Sequence, residues 1–135
     1  VEAMVQSAID KWGRVDILVN NAGILRDKSF SKMSLDDFRL VLDVHLMGAA
    51  ICSKAVWDLM KEQQYGRIVM TSSSSGIHGN FGQSNYGAAK MGVVGLMNVL
   101  HLDCPLYTSD AADDLPCVDL GGRRIIKKKK YFIVY

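Results

Sequence analysis

Apolar residues along the first 103 positions switch between two kinds of spacing, one typical of amphipathic helices and one typical of short buried strands. Helical spacing runs through 1–12, 34–60 and 85–102, whereas 15–20 and 67–71 are short apolar runs. The pattern therefore predicts helix, strand, helix, strand and helix in that order. We expect both strands to be buried, as in a parallel sheet, and the long middle helix to be mostly buried.

The alternation of helices and strands is typical of an α/β protein with a doubly wound parallel sheet. Residues 21–31 and 72–83 follow the two predicted strands, and we expect both segments to be loops. In sheets of this kind, ligands bind beyond the carboxyl ends of the strands. The two loops are therefore the places where the sequence predicts a functional site.

Composition divides the chain after residue 103. The whole chain of 135 residues has 49% apolar residues, 22% charged residues and a net charge of +2, which is typical of a globular protein. Residues 1–103 hold ten basic side chains, ten acidic side chains and no proline, whereas 104–135 hold six basic side chains, four acidic side chains and both prolines. We therefore interpret 1–103 as one unit and 104–135 as an unstructured tail.

The tail has two interpretations. Its basic run at 123–130 is typical of a segment that binds nucleic acid or an anionic surface. However, 106–113 and 118–126 resemble, in order and in one reading frame, the translated pieces of a sequencing-library adapter, and 127–130 resembles a translated run of adenines. On this resemblance 104–135 is a non-native tail, and we expect no nucleic-acid partner.

The remaining features concern the location of the protein and the extent of the chain. No unbroken apolar run approaches the roughly 20 residues of a membrane span, and no secretory signal is visible, so we expect no membrane partner. The chain begins with Val1 rather than Met, and we expect it to start inside a longer protein. Cys52 is expected to be a small core residue in a reducing compartment.

Three groups of residues within 1–103 carry chemistry. The segment 20–23, Asn-Asn-Ala-Gly, follows the first strand, and its glycine lets a ligand approach the backbone closely. Tyr86 and Lys90 share one face of a predicted helix, where the ammonium favours the phenolate form that proton transfer uses. Ser73, thirteen residues before Tyr86, can hydrogen-bond a substrate oxygen. Taken singly, these groups also fit a polar turn, two neighbouring surface side chains and a flexible serine-rich turn.

Together these residues resemble the short-chain dehydrogenase/reductase family over nearly all of 1–103. The resemblance implies an incomplete Rossmann-like doubly wound sheet, and hydride transfer between NAD or NADP, with NAD favoured, and a carbonyl or alcohol. It implies that Tyr86 is the general acid/base, that Lys90 assists it and holds the nicotinamide ribose, and that Ser73 polarises the substrate oxygen. No metal is implied. The residues implied to line the cofactor crevice are Asn21, Ala22, Gly23, Tyr86 and Lys90.

One position departs from the family pattern. The family usually carries a catalytic asparagine at an N-x-x-G site of the long helix, where it supports a water-mediated proton relay. His45 occupies that position in this chain. A histidine can join such a relay because its charge changes near neutral pH, or it can be a structural histidine within a helical core.

Within the family, the residues around the site resemble the (3R)-hydroxyacyl-CoA dehydrogenases of peroxisomal multifunctional enzymes of type 2 and their bacterial relatives. This implies a small acyl-thioester substrate, a homodimeric or homotetrameric parent, and a peroxisomal location in a eukaryote or a cytoplasmic one in a bacterium. The alternatives are a 3-oxoacyl-acyl-carrier-protein reductase, another short-chain dehydrogenase, or a non-catalytic binding protein of the same fold. Because a complete family member runs to roughly 250 residues, we expect 1–103 to be the central part of a domain, inactive and aggregation-prone by itself.

Overall fold

The computed structural model describes residues 1–103, and the tail proposed for 104–135 lies outside the described residues. In chain order the elements are α1 (Glu2–Trp12), β1 (Ile17–Asn20), a 3₁₀ turn (Phe30–Lys32), α2 (Leu35–Leu42), a π-helical turn (Asp43–Met47), α3 (Gly48–Glu62), β2 (Arg67–Met70), α4 (Ser74–His78) and α5 (Ser84–Leu102). The predicted order of the main helices and strands is confirmed. The predicted loop at 72–83 is wrong in part, because Ser73 caps the short helix α4 within it.

The two strands form a parallel pair, as the sequence predicts. Ile17 lies opposite Arg67, and the register continues to Asn20 opposite Met70. Beyond the strands, the Thr71 N–H donates a hydrogen bond of 3.2 Å to the Asn20 carbonyl. Both strands therefore end at the same level, and the segments that follow them start side by side.

One continuous helix runs through α2, the π-helical turn and α3. It begins after Ser34, whose Oγ accepts a hydrogen bond of 3.1 Å from the Asp37 N–H, as expected for a helix cap. Its buried residues recur every three or four positions and form one stripe. The members of this buried stripe are Val41, His45, Ala49, Ser53, Val56 and Met60.

The apolar core lies between the sheet and the helices α1 and α3. Its buried members are Val5, Val56, Met60 and Ile68. Cys52 is half-buried on α3 and does not belong to this cluster, so the expectation of a core cysteine is wrong. The core thus occupies one side of the sheet, and the site described below lies at the carboxyl ends of the strands.

Two expectations about burial are wrong. In β1, Leu18 packs against the core, but Ile17 and Val19 are 61% and 58% exposed. The long helix is buried along one stripe rather than over most of its surface, and Met47 and Ile51 on its outer side are exposed. Successive strand residues point to opposite faces, and no element in the described part of the chain covers the second face.

The continuous helix also bears on the expectation about membranes. By length and composition alone, Leu35–Glu62 is apolar enough to cross a membrane. Core helices of soluble proteins meet the same criterion, so this is weak evidence for a span. The expectation drawn from unbroken apolar runs missed this helix because charged residues are spaced along it.

Candidate functional site

The segment 20–23 leaves β1 at the carboxyl end of the sheet and is fixed at two points. Asn20 Nδ2 donates to Ser53 Oγ on α3 at 3.1 Å. Asn21 Oδ1 accepts a hydrogen bond of 2.9 Å from Thr71 Oγ1, beyond the end of β2. The two asparagine side chains therefore hold the segment to the adjacent helix and strand end, as polar side chains do where a strand stops.

Gly23 and His45 form a close contact at the end of this segment. A Cβ atom placed on Gly23 would lie 3.1 Å from His45 Nδ1 and 3.2 Å from Nε2, closer still to the ring carbon between them. The His45 ring also reaches the next residue, because Nε2 lies 2.8 Å from the Ile24 carbonyl oxygen and 3.1 Å from the Ile24 nitrogen. Glycine is thus required here by the histidine ring that packs against it.

His45 itself lies in the π-helical turn of the long helix. Such turns are uncommon and frequently occur at functional sites. The side chain is 6% exposed, and burial together with the nearby positive charge of Lys90 lowers the pKa of His45, against a smaller raising effect of its hydrogen bond with Ile24. His45 Nδ1 is buried and has no hydrogen-bond partner within residues 1–103.

Tyr86 and Lys90 lie together in the first turns of α5. The Lys90 ammonium is 5.6 Å from the centroid of the Tyr86 ring, and the His45 ring meets the same tyrosine edge-on at a centroid distance of 5.1 Å. Lys90 is 4% exposed, and burial lowers its pKa. Its Nζ donates to the Thr71 carbonyl at 2.8 Å. The structure therefore brings three of the sequence-predicted residues into one cluster.

Ser73 is placed differently. Its Oγ accepts a hydrogen bond of 3.2 Å from the Ser75 N–H at the start of α4. The helices α4 and α5 pack closely, since a Cβ on Gly87 would lie 2.9 Å from the Ser75 carbonyl oxygen. Within residues 1–103, Ser73 is therefore connected to the turn that carries Tyr86 by helix packing and not by a hydrogen bond.

A set of contacts that the sequence did not suggest joins 26–28 to 82–85, and we call it the clasp. The Lys28 N–H donates to the Gly82 carbonyl at 2.9 Å, and Gln83 Nε2 donates to Asp27 Oδ2 at 2.8 Å. Gly82 has a φ of 78°, in the left-handed region that favours glycine. The clasp connects the chain just beyond Gly23 to the start of α5.

Asn85 supplies the buried part of the clasp. Its Nδ2 donates to the Arg26 carbonyl at 3.0 Å, and its Oδ1 accepts from the Tyr86 N–H at 2.7 Å. Sequence reasoning missed this residue, although an asparagine near a helix start is a known source of side-chain to backbone hydrogen bonds. No sequence signal pointed to the π-helical turn.

The exposed backbone of 21–23 and the polar cluster fit a nicotinamide cofactor. Ala22 and Gly23 present no side chain larger than a methyl group at the carboxyl end of β1, and both are exposed. Lys90 uses one of its three N–H donors on Thr71, which leaves donors for ribose hydroxyls. Among residues 1–103, no group of three His, Cys, Asp or Glu side chains could hold a metal ion.

Comparison with known proteins gives consistent matches. The family model for short chain dehydrogenase matches residues 1–107. The mouse peroxisomal multifunctional enzyme type 2 is 56% identical over 102 residues, covering 76% of this chain. A 3-oxoacyl-[acyl-carrier-protein] reductase of Synechocystis is 47% identical over 95 residues, covering 70% of it.

A solved structure is similar as well. The full-length peroxisomal multifunctional enzyme type 2 from Drosophila melanogaster superposes with a TM-score of 0.63 and 60% identity over 64% of this chain. In each comparison the chain covers a minor part of the other protein: 14% of the mouse enzyme, 38% of the Synechocystis reductase and 16% of the Drosophila chain.

Proposed function

Because the chain belongs to the short-chain dehydrogenase family, we propose that its parent protein is an NAD(P)-dependent oxidoreductase acting on a 3-hydroxyacyl or 3-oxoacyl thioester. The observation that carries the proposal is the cluster of Tyr86, Lys90 and His45 at the carboxyl ends of the two strands. The choice of substrate is supported by the identity of 56% to the mouse peroxisomal multifunctional enzyme type 2. We favour NAD over NADP on the same resemblance.

In this proposal Tyr86 moves the proton. In the oxidation direction its phenolate oxygen accepts the proton of the substrate C3 hydroxyl as that carbon becomes a carbonyl, and in the reduction it returns the proton. Tyr86 is only partly buried, and its ring meets the His45 ring that packs against Gly23. The nicotinamide cofactor supplies the hydride acceptor or donor when it is bound.

The other residues support this transfer. Lys90 places a buried ammonium 5.6 Å from the centroid of the Tyr86 ring, and its remaining N–H donors are available for the ribose of the cofactor. Ser73 polarises the substrate oxygen from the start of α4. Its Oγ accepts from the Ser75 N–H, and its O–H can at the same time donate to the substrate oxygen, since a hydroxyl both accepts and donates. Asn21, Ala22 and Gly23 line the cofactor side.

The two ring nitrogens of His45 have different roles in this proposal. Nε2 is occupied by the backbone of Ile24, which agrees with a structural histidine, while the unpaired Nδ1 offers a buried position for a relay water. The His45 ring also contacts Tyr86 edge-on. We therefore include His45 in the relay that carries the proton away from Tyr86.

The alternatives differ in substrate or in activity. A 3-oxoacyl-acyl-carrier-protein reductase would use the same core of Ser73, Tyr86 and Lys90, and the Synechocystis relative supports it. A different thioester carrier is thus the second candidate. A non-catalytic binding protein would not need the buried Lys90 beside Tyr86, which is why we rank it last.

The remaining proposals concern the parent protein. We propose that 1–103 is the central part of its dehydrogenase domain and that 104–135 is not native to it. The family match, which stops at residue 107, supports a boundary in this region. We also propose a homodimer or homotetramer, located in the peroxisome if the source is eukaryotic and in the cytoplasm if it is bacterial. The peroxisomal names of the mouse and Drosophila relatives support the first location.

The experiment that tests the function is Tyr86→Phe in the parent enzyme, assayed with a 3-hydroxyacyl-CoA and NAD. We expect kcat to fall by about 10²- to 10⁴-fold, because the general acid/base is lost, while the variant still binds the dinucleotide. Tyr65→Phe is the matched control, since Tyr65 is an exposed tyrosine that stacks on Arg67 away from the site. Unchanged turnover in Tyr86→Phe would eliminate the proposed mechanism, and no turnover in the wild type with any thioester would favour a binding protein.

A further inference from the structure

Asn85 is the least exposed of the buried polar side chains in residues 1–103, and it uses both ends of its amide. Nδ2 donates to the Arg26 carbonyl across 59 positions of the sequence, and Oδ1 accepts from the N–H of Tyr86. One side chain thus connects the backbone beyond Gly23 to the backbone of the proposed acid/base.

The helix start explains why Tyr86 needs this acceptor. The first N–H groups of a helix have no partner within the helix. Tyr86 is the third residue of α5, and the N-cap residue Gln83 makes no side-chain hydrogen bond to the helix. Asn85 Oδ1 therefore satisfies the Tyr86 N–H from inside the helix and fixes the backbone from which the phenol projects.

The other end of the amide fixes the position of this turn in the site. The Arg26 carbonyl belongs to the stretch that begins with Gly23 and Ile24, which pack on the His45 ring. A tilt of the first turn of α5 away from Arg26 would lengthen the hydrogen bond between Asn85 and the Arg26 carbonyl. Among the hydrogen bonds of the clasp, this amide is therefore the one that ties the cofactor side at 21–23 directly to the backbone of Tyr86.

We propose that Asn85 is a positioning residue for Tyr86, holding the phenol at the distance from the cofactor side that proton and hydride transfer require. This proposal rests on the proposed function, because it assigns Asn85 a role through Tyr86. Asn85 is fully buried and both ends of its amide bind the backbone, so its role is to position Tyr86 and not to bind a ligand. Its effect is therefore on turnover, and the dinucleotide binds nearly as well without it.

The test compares Asn85→Asp, Asn85→Ser and Asn98→Asp in the parent enzyme. The aspartate keeps an oxygen for the Tyr86 N–H but replaces the amide donor facing the Arg26 carbonyl with an acceptor. The serine is too short to span both partners. Asn98 is an exposed residue of the same helix, and its substitution by aspartate makes the same chemical change away from the site.

We expect both Asn85 variants to lower kcat by about 10- to 100-fold, since a misplacement on the order of 1 Å has that effect on turnover. The KM for the dinucleotide should change by less than about threefold, and Asn98→Asp should match the wild type. Thermal unfolding of each variant, followed by circular dichroism, reports how much enzyme is folded in the assay.

Three outcomes would overturn the proposal. They are wild-type kcat in either Asn85 variant, a fall in kcat fully explained by a smaller folded fraction, and loss of the fold in both variants, which would assign Asn85 to stability. Tyr86→Phe in the same assay separates the two proposals. If it stays active, the proposed function fails; if it is inactive while the Asn85 variants turn over normally, only the positioning role fails.

Discussion

The carboxyl end of the sheet and the outer faces of the helices and strands are built in opposite ways. At the carboxyl end the buried polar side chains are joined by hydrogen bonds within the described residues, from Asn20 with Ser53 to Lys90 with Thr71. On the outer faces, large apolar side chains such as Ile17 and Ile51 are exposed. The site is thus fixed by contacts within residues 1–103. The stability of the fold, by contrast, depends on neighbouring surface that would cover these exposed apolar side chains and that the described residues do not supply.

The largest expected effect concerns the two sides of α3. Met60→Ala in the parent enzyme should lower the free energy of unfolding by about 2–5 kcal/mol, because Met60 is fully buried in the core cluster and its removal leaves a cavity. Ile51→Ala on the outer side should also lower it, by about 2 kcal/mol, if other parts of the parent cover that face. Urea unfolding followed by circular dichroism measures both changes.

Lys54→Ala is the control for this pair, since Lys54 is an exposed polar residue of the same helix and should change the free energy of unfolding by less than about 0.5 kcal/mol. A similarly small effect of Ile51→Ala would show that the outer face of α3 stays exposed in the parent. The difference between the hydrogen-bonded carboxyl end of the sheet and the exposed outer faces would then not be due to the absence of neighbouring parts of the parent protein.

Spacing and local chemistry account for the parts of the fold that the sequence predicted. The apolar runs at 15–20 and 67–71 predicted the two parallel strands, and the helical spacing through 34–60 predicted the long helix. The separation of Tyr86 and Lys90 by four residues placed them on one helical face, and the structure brings them together. Each of these depends on residues close together in the sequence.

The parts that could not be predicted depend on distant partners. The clasp joins positions more than 50 residues apart, and the amide of Asn85 finds the Arg26 carbonyl only once both segments are folded. The exposure of Ile17 and Val19 depends on what covers the sheet, which apolar spacing does not state. The π-helical turn at His45 has no signature in residue type.

The next effect tests how tightly the site end is built. Gly23→Ala should lower kcat/KM by about 100-fold, which corresponds to roughly 2.7 kcal/mol, because the added methyl group would overlap the His45 ring. Gly95→Ala is the control, since a Cβ there meets nothing within 4 Å and a helical alanine is favoured over glycine. Steady-state kinetics and dinucleotide binding are the measurements.

The overlap caused by Gly23→Ala can be removed by shortening His45, the other residue of the contact. In the double variant Gly23→Ala with His45→Ala, the methyl group has room, so dinucleotide binding should recover even though turnover stays low. Equal loss of binding in the single and double variants would show that the His45 ring is not what requires glycine at this position.

The smallest expected effect is the dependence of stability on pH that His45 contributes. Burial lowers the pKa of His45 in the folded protein, whereas the unfolded chain has the ordinary value of about 6.5. As the pH falls below about 6.5, the unfolded chain therefore binds the proton first and the fold loses stability, down to the pKa of the folded state. His45→Asn should flatten the fall in the unfolding midpoint between about pH 6.5 and 5, and His78→Asn, at an exposed position on α4, should leave it as in the wild type. If the unfolding midpoint of His45→Asn falls as steeply with pH as that of the wild type, the His45 ring is hydrated in the parent. The carboxyl end of the sheet would then be open to water at this position, as the outer faces are.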